Sequence, residues 1–245
     1  MSHEEREERL NAIHKGEKSI LYIAPEMLLT TSLETLLGGR RLGLFVVDEA
    51  HTVTSWGRDF RADYWFMGDY LERQRKNGLH FPVLCLTATA VFGGRDDVVQ
   101  DTISTLGLNQ PILYLGRVRR DNIDFDIHSL DKQTDESRDE FKVNHVAQKI
   151  AEYVAEGKKT LVYCPFRSTV DSIYQAVPFS VKDKVRRYHA GMERGEKNAA
   201  QDAFKNNKAI VMICTKAFGM GVDVPDIVQV YHYAPTGNLA DYVQE

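Results

Sequence analysis

The stretch Leu44-Phe45-Val46-Val47-Asp48-Glu49-Ala50-His51 runs four apolar residues straight into two adjacent carboxylates. An unbroken apolar run this short reads as a strand buried on both faces, as in a parallel sheet. The carboxyl end of such a strand is where an open α/β sheet places its ligand crevice. Two acids buried there are costly without a cation or a reaction to serve. A nucleotide hydrolase has that need. One carboxylate holds Mg²⁺, usually through water, and the next orients and deprotonates the attacking water. The bland alternative is a strand followed by a polar turn.

Outward from this stretch the chain alternates strands and helices. Ser2 and Glu5 have the spacing of a capping box and open a helix to about residue 15. A strand is expected over 19–24. Pro25 suits the first position of a helix that Gly38-Gly39 ends. A polar, aromatic loop follows the acids over 52–61. Next come a helix over 62–76 ended by Asn77-Gly78, a strand over 82–86, a helix after Gly93-Gly94 to about residue 106, and a strand over 112–115. Composition then shifts, basic over 116–121 and acidic over 131–140, which places a domain boundary near 117–123. Beyond it, strands are expected over 123–127, 160–164, 185–188, 209–214 and 227–232. Helices are expected over 136–155, 168–177, 194–205 and from about 238. Such alternation predicts parallel sheets flanked by helices, hence an α/β fold in two lobes, 1–120 and 121–245.

The chain has 245 residues, 43% of them hydrophobic and 27% charged, enough for one large or two modest α/β domains. No apolar run is long enough to span a bilayer, and the acidic, polar start does not have the form of a signal peptide, so an intracellular protein without membrane attachment is expected. Cys85, Cys164 and Cys214 each sit in an apolar run without metal-ligand spacing and read as buried small hydrophobes, with no zinc site expected. The net charge of −4 excludes a surface coated with basic residues but leaves room for a local basic groove that binds nucleic acid.

Several further boxes stand in order along the chain. Asp48-Glu49-Ala50-His51 resembles motif II of superfamily 2 helicases, and Thr87-Ala88-Thr89 resembles motif III. Between them, Ser55-Trp56-Gly57-Arg58-Asp59-Phe60-Arg61-Ala62-Asp63-Tyr64 is similar to the aromatic-rich loop of RecQ-type DNA helicases. Tyr22 to Leu28 resembles motif Ib. Val162-Tyr163-Cys164 with Arg167 resembles motif IV, and Tyr188-His189-Ala190-Gly191-Met192 motif IVa. Thr215 to Asp223 resembles the RecQ form of motif V. Arg120-Asp121-Asn122-Ile123 is similar to the lobe-joining segment, with Asp where Pro is usual. Seven boxes in family order make chance an implausible source.

The resemblance implies two RecA-like lobes and a 3′-to-5′ ATP-dependent DNA helicase, with ATP and Mg²⁺ between the lobes. It makes Asp48 a Mg²⁺ holder and Glu49 the catalytic base. It gives Gly221 and Asp223 a place at the nucleotide, and His51, Thr87 and Thr89 the coupling of hydrolysis to movement. Trp56, Arg58, Phe60, Arg61, Pro25 and Thr215 become contacts to DNA, single-stranded or at duplex junctions. The residues themselves agree in part: bases stack on exposed rings and guanidinium groups take phosphates. For Trp56 and Phe60 the competing reading is packing against the next helix. For the threonines it is ordinary strand-end capping. His51 and His189 have no second ligand at metal spacing and read as structural or coupling residues.

The phosphate cradle Gly-x-x-x-x-Gly-Lys-Ser/Thr is not found within these residues. Gly157-Lys158 precedes a strand rather than opening a helix and has Glu152 where a glycine is required. Gln244-Glu245 resembles only the opening of motif VI, whose later arginines include the finger that stabilises the transition state. The expectation is a core fragment with an incomplete first lobe, inactive alone in ATP hydrolysis, since loss of an arginine finger costs about 10³–10⁵ in rate. An RNA helicase of the same superfamily, or a non-hydrolytic nucleic-acid-binding scaffold, are the alternatives. Thr-Ala-Thr and the aromatic loop favour DNA, and the intact acid pair favours hydrolysis.

Overall fold

The computed structural model describes residues 3–53, 66–89, 92–93, 97–116, 121–129, 137–219, 224–237 and 242. The chain divides into two compact units, Met1–Arg117 and Val118–Glu245.

In the first unit, α1 (His3–His14) packs on α3 (Leu33–Leu37), with α2 (Met27–Thr30) between them in sequence. One helix was expected from Pro25 to Gly38; there are two. Ser32 breaks it by turning extended and accepting the Thr35 N–H at 3.2 Å, so its hydroxyl caps a new helix instead of sitting inside an old one. Gly38 ends α3 in the left-handed region, as a C-terminal glycine should. β1 (Phe45–Val47) pairs in parallel with β2 (Val83–Cys85), Phe45 opposite Val83 and Val47 opposite Cys85. A 3₁₀ turn (Ala50–Val53), α4 (Met67–Lys76) and α5 (Val98–Thr105) complete the unit. Asn77 closes α4, and the Asp97 carboxylate caps α5 by accepting from Gln100 N–H.

The expectation that β1 is buried on both faces is corrected. Phe45, Val47, Val83 and Cys85 face a core that includes Leu36, Val53, Leu71 and Leu106. Leu44, Val46, Leu84 and Leu86 on the opposite face are exposed, Val46 by 48%. The sheet is therefore covered on one side among the described residues. The expected strands over 19–24 and 112–115 also fail to join it. Leu21 and Ile23 do pack inward while Ile20 and Tyr22 point out, but alternation without a backbone ladder makes no strand.

The second unit is built on four parallel strands: β3 (Thr160–Tyr163), β4 (Val185–Tyr188), β5 (Val211–Cys214) and β6 (Gln229–His232), in the order β4-β5-β3-β6. α6 (Arg138–Ala155), capped by Ser137, and α7 (Arg167–Ala176) cover one face, where Val146, Ile150, Val162, Val170, Ile173 and Ile213 meet. α8 (Arg194–Lys205) supplies Ala200 and Phe204 to the other face, against Leu161, Tyr163, Met212 and Cys214. β3 and β5 are buried throughout, as continuous apolar strands of a doubly covered sheet must be. The strand expected over 123–127 takes no part in the sheet, and Phe125 and Ile127 are exposed. The expected C-terminal helix lies outside the described residues apart from Tyr242. No helix among the described residues is long and apolar enough to cross a membrane.

Candidate active site and nucleic-acid interface

The acids emerge at the carboxyl end of β1, as the opening stretch required, but they are exposed. The desolvation argument for pairing them with a cation therefore does not apply; their accessibility to a solvated ion does. Asp48 Oδ1 accepts the Glu49 N–H at 2.9 Å. Glu49 sits at φ 49°, a left-handed backbone rare for a residue of this size. That conformation costs on the order of 1–3 kcal/mol and persists only where neighbours fix it. The neighbours are visible. Thr52 donates both its backbone N–H (2.9 Å) and its hydroxyl (2.8 Å) to the Glu49 carbonyl, and Ala50 N–H donates to the Leu86 carbonyl at 2.9 Å. The turn is thus tied both to its own 3₁₀ segment and to the end of β2.

His51 and Thr87 join the two strand ends. His51 Nδ1 lies 2.9 Å from Thr87 Oγ1 and 3.4 Å from Glu49 Oε2. With its proton on Nδ1 the ring donates to the Thr87 hydroxyl oxygen beside a carboxylate that favours that proton. Thr87 Oγ1 also accepts the Thr89 N–H at 3.1 Å, and Thr89 itself is buried. Burial pushes the His51 pKa below the ordinary histidine value, and the Glu49 carboxylate offsets part of that shift. The neutral ring is the favoured form. Asp48, Glu49, His51, Thr87 and Thr89 are brought together in one unit.

Pro25 is buried in the turn before α2, where its carbonyl accepts from Leu28 N–H. Its ring does not face solvent. Trp56, Arg58, Phe60 and Arg61 of the aromatic loop, and Gly221 and Asp223 at the end of motif V, lie outside the described residues.

In the second unit, Thr215 follows β5 and its N–H donates to the Tyr188 carbonyl at 3.2 Å. A hollow of about 180 Å³ opens at the carboxyl ends of β3 and β6, lined by Tyr163, Cys164, Pro165, Lys216 and residues 234–237. Next to it in sequence, Arg167 starts α7. An added methyl at Gly191 would lie 3.2 Å from Arg167 Nη1 and 3.3 Å from His189 Nδ1, so glycine there makes room for both. Asp171 on α7 forms an ion pair with Arg187 and lies 3.3 Å from His189 Nε2. His189 is buried, and its Nδ1 has no hydrogen-bond partner among the described residues. No cluster of three or more metal-ligating side chains occurs among the described residues.

Comparison with known proteins places the two domains and the fold. The model of the DEAD/DEAH box helicase family matches residues 1–96, and that of the helicase conserved C-terminal domain matches 142–245. The chain carries a DEAD/DEAH box helicase domain followed by a helicase conserved C-terminal domain. This helicase chain is 33% identical over its whole length to a probable ATP-dependent DNA helicase RecS of Bacillus subtilis, covering 46% of that protein. It is 29% identical to the ATP-dependent DNA helicase RecQ of Pasteurella multocida, over 98% of this chain and 35% of that one. It is 32% identical to the ATP-dependent helicase wrn-1 of Caenorhabditis elegans, over 92% of this chain and 20% of that one. The chain thus spans about half or less of the length of these curated relatives. Among solved structures, Mss116p bound to single-stranded RNA and AMP-PNP superposes with a TM-score of 0.66 at 17% identity, over 97% of this chain and 47% of that one. The DUF1998 helicase MrfA bound to DNA and AMPPNP gives 0.63 at 16% identity, over 90% and 31%. At such identities the likeness speaks for the fold alone, which is that of RecA-like helicase lobes.

Three groups in this helicase chain escape sequence reasoning. Lys159, 5% exposed, donates to Asn207 Oδ1 (2.6 Å) and Asp226 Oδ1 (2.7 Å). Its ammonium stands 4.9 Å from the Phe204 ring centroid. The ammonium holds the Asp226 carboxyl below the usual carboxylate range. Phe218 anchors the motif V turn by packing edge-on against Phe204 and Tyr188. Asp171 pairs across from helix to strand with Arg187. Asp226 and Asn207 are far from Lys159 in sequence, so spacing carried no signal. Phe218 could have been found, as an aromatic inside a glycine-rich turn that needs an anchor.

Proposed function

We propose that this chain provides the ATP-hydrolysing and DNA-gripping core of a RecQ-type, 3′-to-5′ ATP-dependent DNA helicase acting inside the cell, with lobes 1–120 and 121–245. One observation carries the reading: Glu49, His51, Thr87 and Thr89 stand in one row of contacts at the carboxyl ends of β1 and β2, with His51 Nδ1 3.4 Å from the Glu49 carboxylate and hydrogen-bonded to Thr87, whose hydroxyl oxygen accepts the Thr89 N–H. An acid pair alone could be a polar turn. An acid pair wired to a second strand end, on a backbone held in a costly conformation, is what a hydrolytic site coupled to movement requires.

The donor set fits the implied cofactor. Asp48 and Glu49 offer hard, solvent-accessible carboxylate oxygens, and Mg²⁺ keeps several waters while binding one or two carboxylates and phosphate oxygens. Bound Mg²⁺–ATP supplies the γ-phosphoryl group that passes to water. In this reading Asp48 holds Mg²⁺ through water, and Glu49 orients the attacking water and takes its proton. His51, Thr87 and Thr89 transmit the state of Glu49 along β2. Gly221 and Asp223 attend the nucleotide, and Trp56, Arg58, Phe60, Arg61 and Thr215 grip single-stranded DNA near duplex junctions. DNA rather than RNA is supported by the relatives, which are named as DNA helicases.

The test is nucleic-acid-stimulated ATP hydrolysis by the protein that carries these 245 residues, with single-stranded DNA and RNA compared. Glu49→Gln should lower the DNA-stimulated kcat by about 10²–10⁴ while DNA binding stays intact. Undiminished hydrolysis in Glu49→Gln, or stimulation by RNA alone, would sink the reading. The 245-residue chain by itself should bind single-stranded DNA yet hydrolyse ATP near background; turnover at helicase rates would show that the chain needs no further phosphate cradle.

A further inference from the structure

Between α7 and β4 the chain makes a 3₁₀ turn, Phe179–Lys184, whose residues the proposed mechanism does not use. Phe179 is 94% exposed. Side chains three apart eclipse on a 3₁₀ helix, so Phe179 and Lys182 share a face. Lys182 Nζ stands 4.9 Å from the Tyr174 ring centroid and 3.4 Å from the Gln175 carbonyl. The Arg187 guanidinium lies 5.6 Å from the same Tyr174 ring while paired with Asp171. Lys184 is exposed at the end of the turn. Arg186 donates to the carbonyls of Asp183 and Val185 at 2.9 and 2.8 Å, which fixes its stem beside the turn. Asp183 is the one acid within the turn. Over 179–187 four cations (Lys182, Lys184, Arg186, Arg187) stand against Asp183, and Asp171 of α7 offsets Arg187, which leaves the patch at +2 although the whole chain carries −4.

We propose that Phe179 with Lys182, Tyr174 and Lys184 forms a second contact for single-stranded nucleic acid, on the edge of the sheet opposite Thr215 and Lys216. The topology separates the two places. All four strands run parallel, so the turn that precedes β4 lies at their amino ends, while Thr215 and Lys216 follow the carboxyl end of β5. A fully presented ring costs free energy in water and contributes nothing to the unit's core; stacking under a base recovers that cost. The cations beside it supply the phosphate attraction that a lone ring lacks. An acidic protein partner would use the same charges but has no need of an open ring face. The contact rests on the reading of the chain as a DNA helicase, and it adds a grip on a stretch of strand that the carboxyl-edge site does not hold.

The test uses the 245-residue chain and a fluorescein-labelled oligo-dT, followed by anisotropy over a range of salt. Phe179→Ala should weaken binding about five- to a hundredfold, the usual range for loss of one stacking ring, and Phe179→Tyr should restore it. Lys184→Glu should weaken binding and reduce the slope of log K against log salt by roughly 0.7 per lost phosphate contact. Thermal melting of each variant should match the parent, since the ring packs against nothing. If all variants bind oligo-dT like the parent, the second contact is overturned and the helicase reading stands. If the parent chain binds no oligo-dT, the helicase reading itself falls and takes the contact with it.

Discussion

His51 is where the chemistry of the site and the stability of the first unit meet. Its pKa is depressed by burial, so the unfolded chain takes up a proton at a higher pH than the folded one. The stability this group contributes is complete above the ordinary value of about 6.5 and is lost as pH falls through the depressed folded value. His232, also depressed by burial, acts with the same sign in the second unit. Urea unfolding should therefore show a midpoint that falls from about pH 7 towards pH 5. His51→Gln keeps a donor for Thr87 and removes the titrating ring, and it should flatten the part of that fall that belongs to the first unit. An unchanged pH profile in His51→Gln would mean that the ring protonates as freely folded as unfolded. On the proposed function, the same variant should also lower DNA-stimulated ATP turnover in the protein that carries these 245 residues, because it removes the ring's contact with Glu49.

At the scale of elements, two glycines make opposite predictions from the same substitution. Gly68 lies in the first turn of α4, and a methyl there would stand 1.9 Å from the Thr105 carbonyl oxygen, at the end of α5. That obstacle is backbone and cannot swing aside. Alanine favours an open helix interior by about 1 kcal/mol over glycine, yet here the overpacking cost of about 1–3 kcal/mol wins. Gly195 in α8 has nothing within 4 Å of the added methyl. Gly68→Ala should lower the urea midpoint and Gly195→Ala should raise it slightly; a shared sign would mean that the close approach of α4 to α5 is not real. Lys159 makes a third case. Lys159→Met keeps the stem but removes the ammonium that Asn207 and Asp226 accept from, and it should lower the urea midpoint at pH 7. Asp226, depressed by the Lys159 hydrogen bond, contributes stability above the carboxylate range that is lost as pH falls through its lowered value. Unfolding followed from pH 7 to below the ordinary carboxylate value of about 4 should therefore show a smaller acid loss in Lys159→Met than in the parent.

These elements also show what the sequence could carry. β3, β4, β5, α6, α7 and α8 were legible to within a few residues, because each combines a strong period with a cap or a stop such as Ser137 or Gly157. The acid pair, Thr87 and the boxes of the second unit were legible as a resemblance in order. The segments over 19–24, 112–115 and 123–127 have the composition of strands and lack ladders. A strand is a property of two segments, and sequence shows one at a time. The two-sided burial expected of β1 fails for the same reason, and the burial of Pro25 was equally hidden. Both depend on what lies opposite, which no local pattern encodes.

At the scale of the molecule, the two units differ in how well they cover their sheets. β3 and β5 are sealed on both faces, whereas β1 and β2 leave Leu44, Val46, Leu84 and Leu86 exposed on one. Each apolar Å² left in water forgoes about 25 cal/mol. Hydrogen exchange on the 245-residue chain should find the amides of β3 and β5 the slowest, with those of β1 and β2 exchanging through an earlier opening. Equal protection in both sheets would contradict this ranking. The bare face should also limit solubility, and Leu84→Glu, a change on the exposed side, should improve it with little loss of stability.

The order of strands in the second unit also sets a timetable for synthesis. β3 sits between β5 and β6, Thr160 opposite both Val211 and Gln229. Each of its partners leaves the ribosome after it. At roughly 5–20 residues per second, a strand of Thr, Leu, Val and Tyr waits several seconds for its first neighbour. In that interval α6, α7 and lastly α8 can cover its faces, but both of its edges stay unpaired. The nascent chain is then at its most adhesive, and a ribosome-associated holdase acting between the emergence of α7 and that of β5 would raise the share of the second unit that folds.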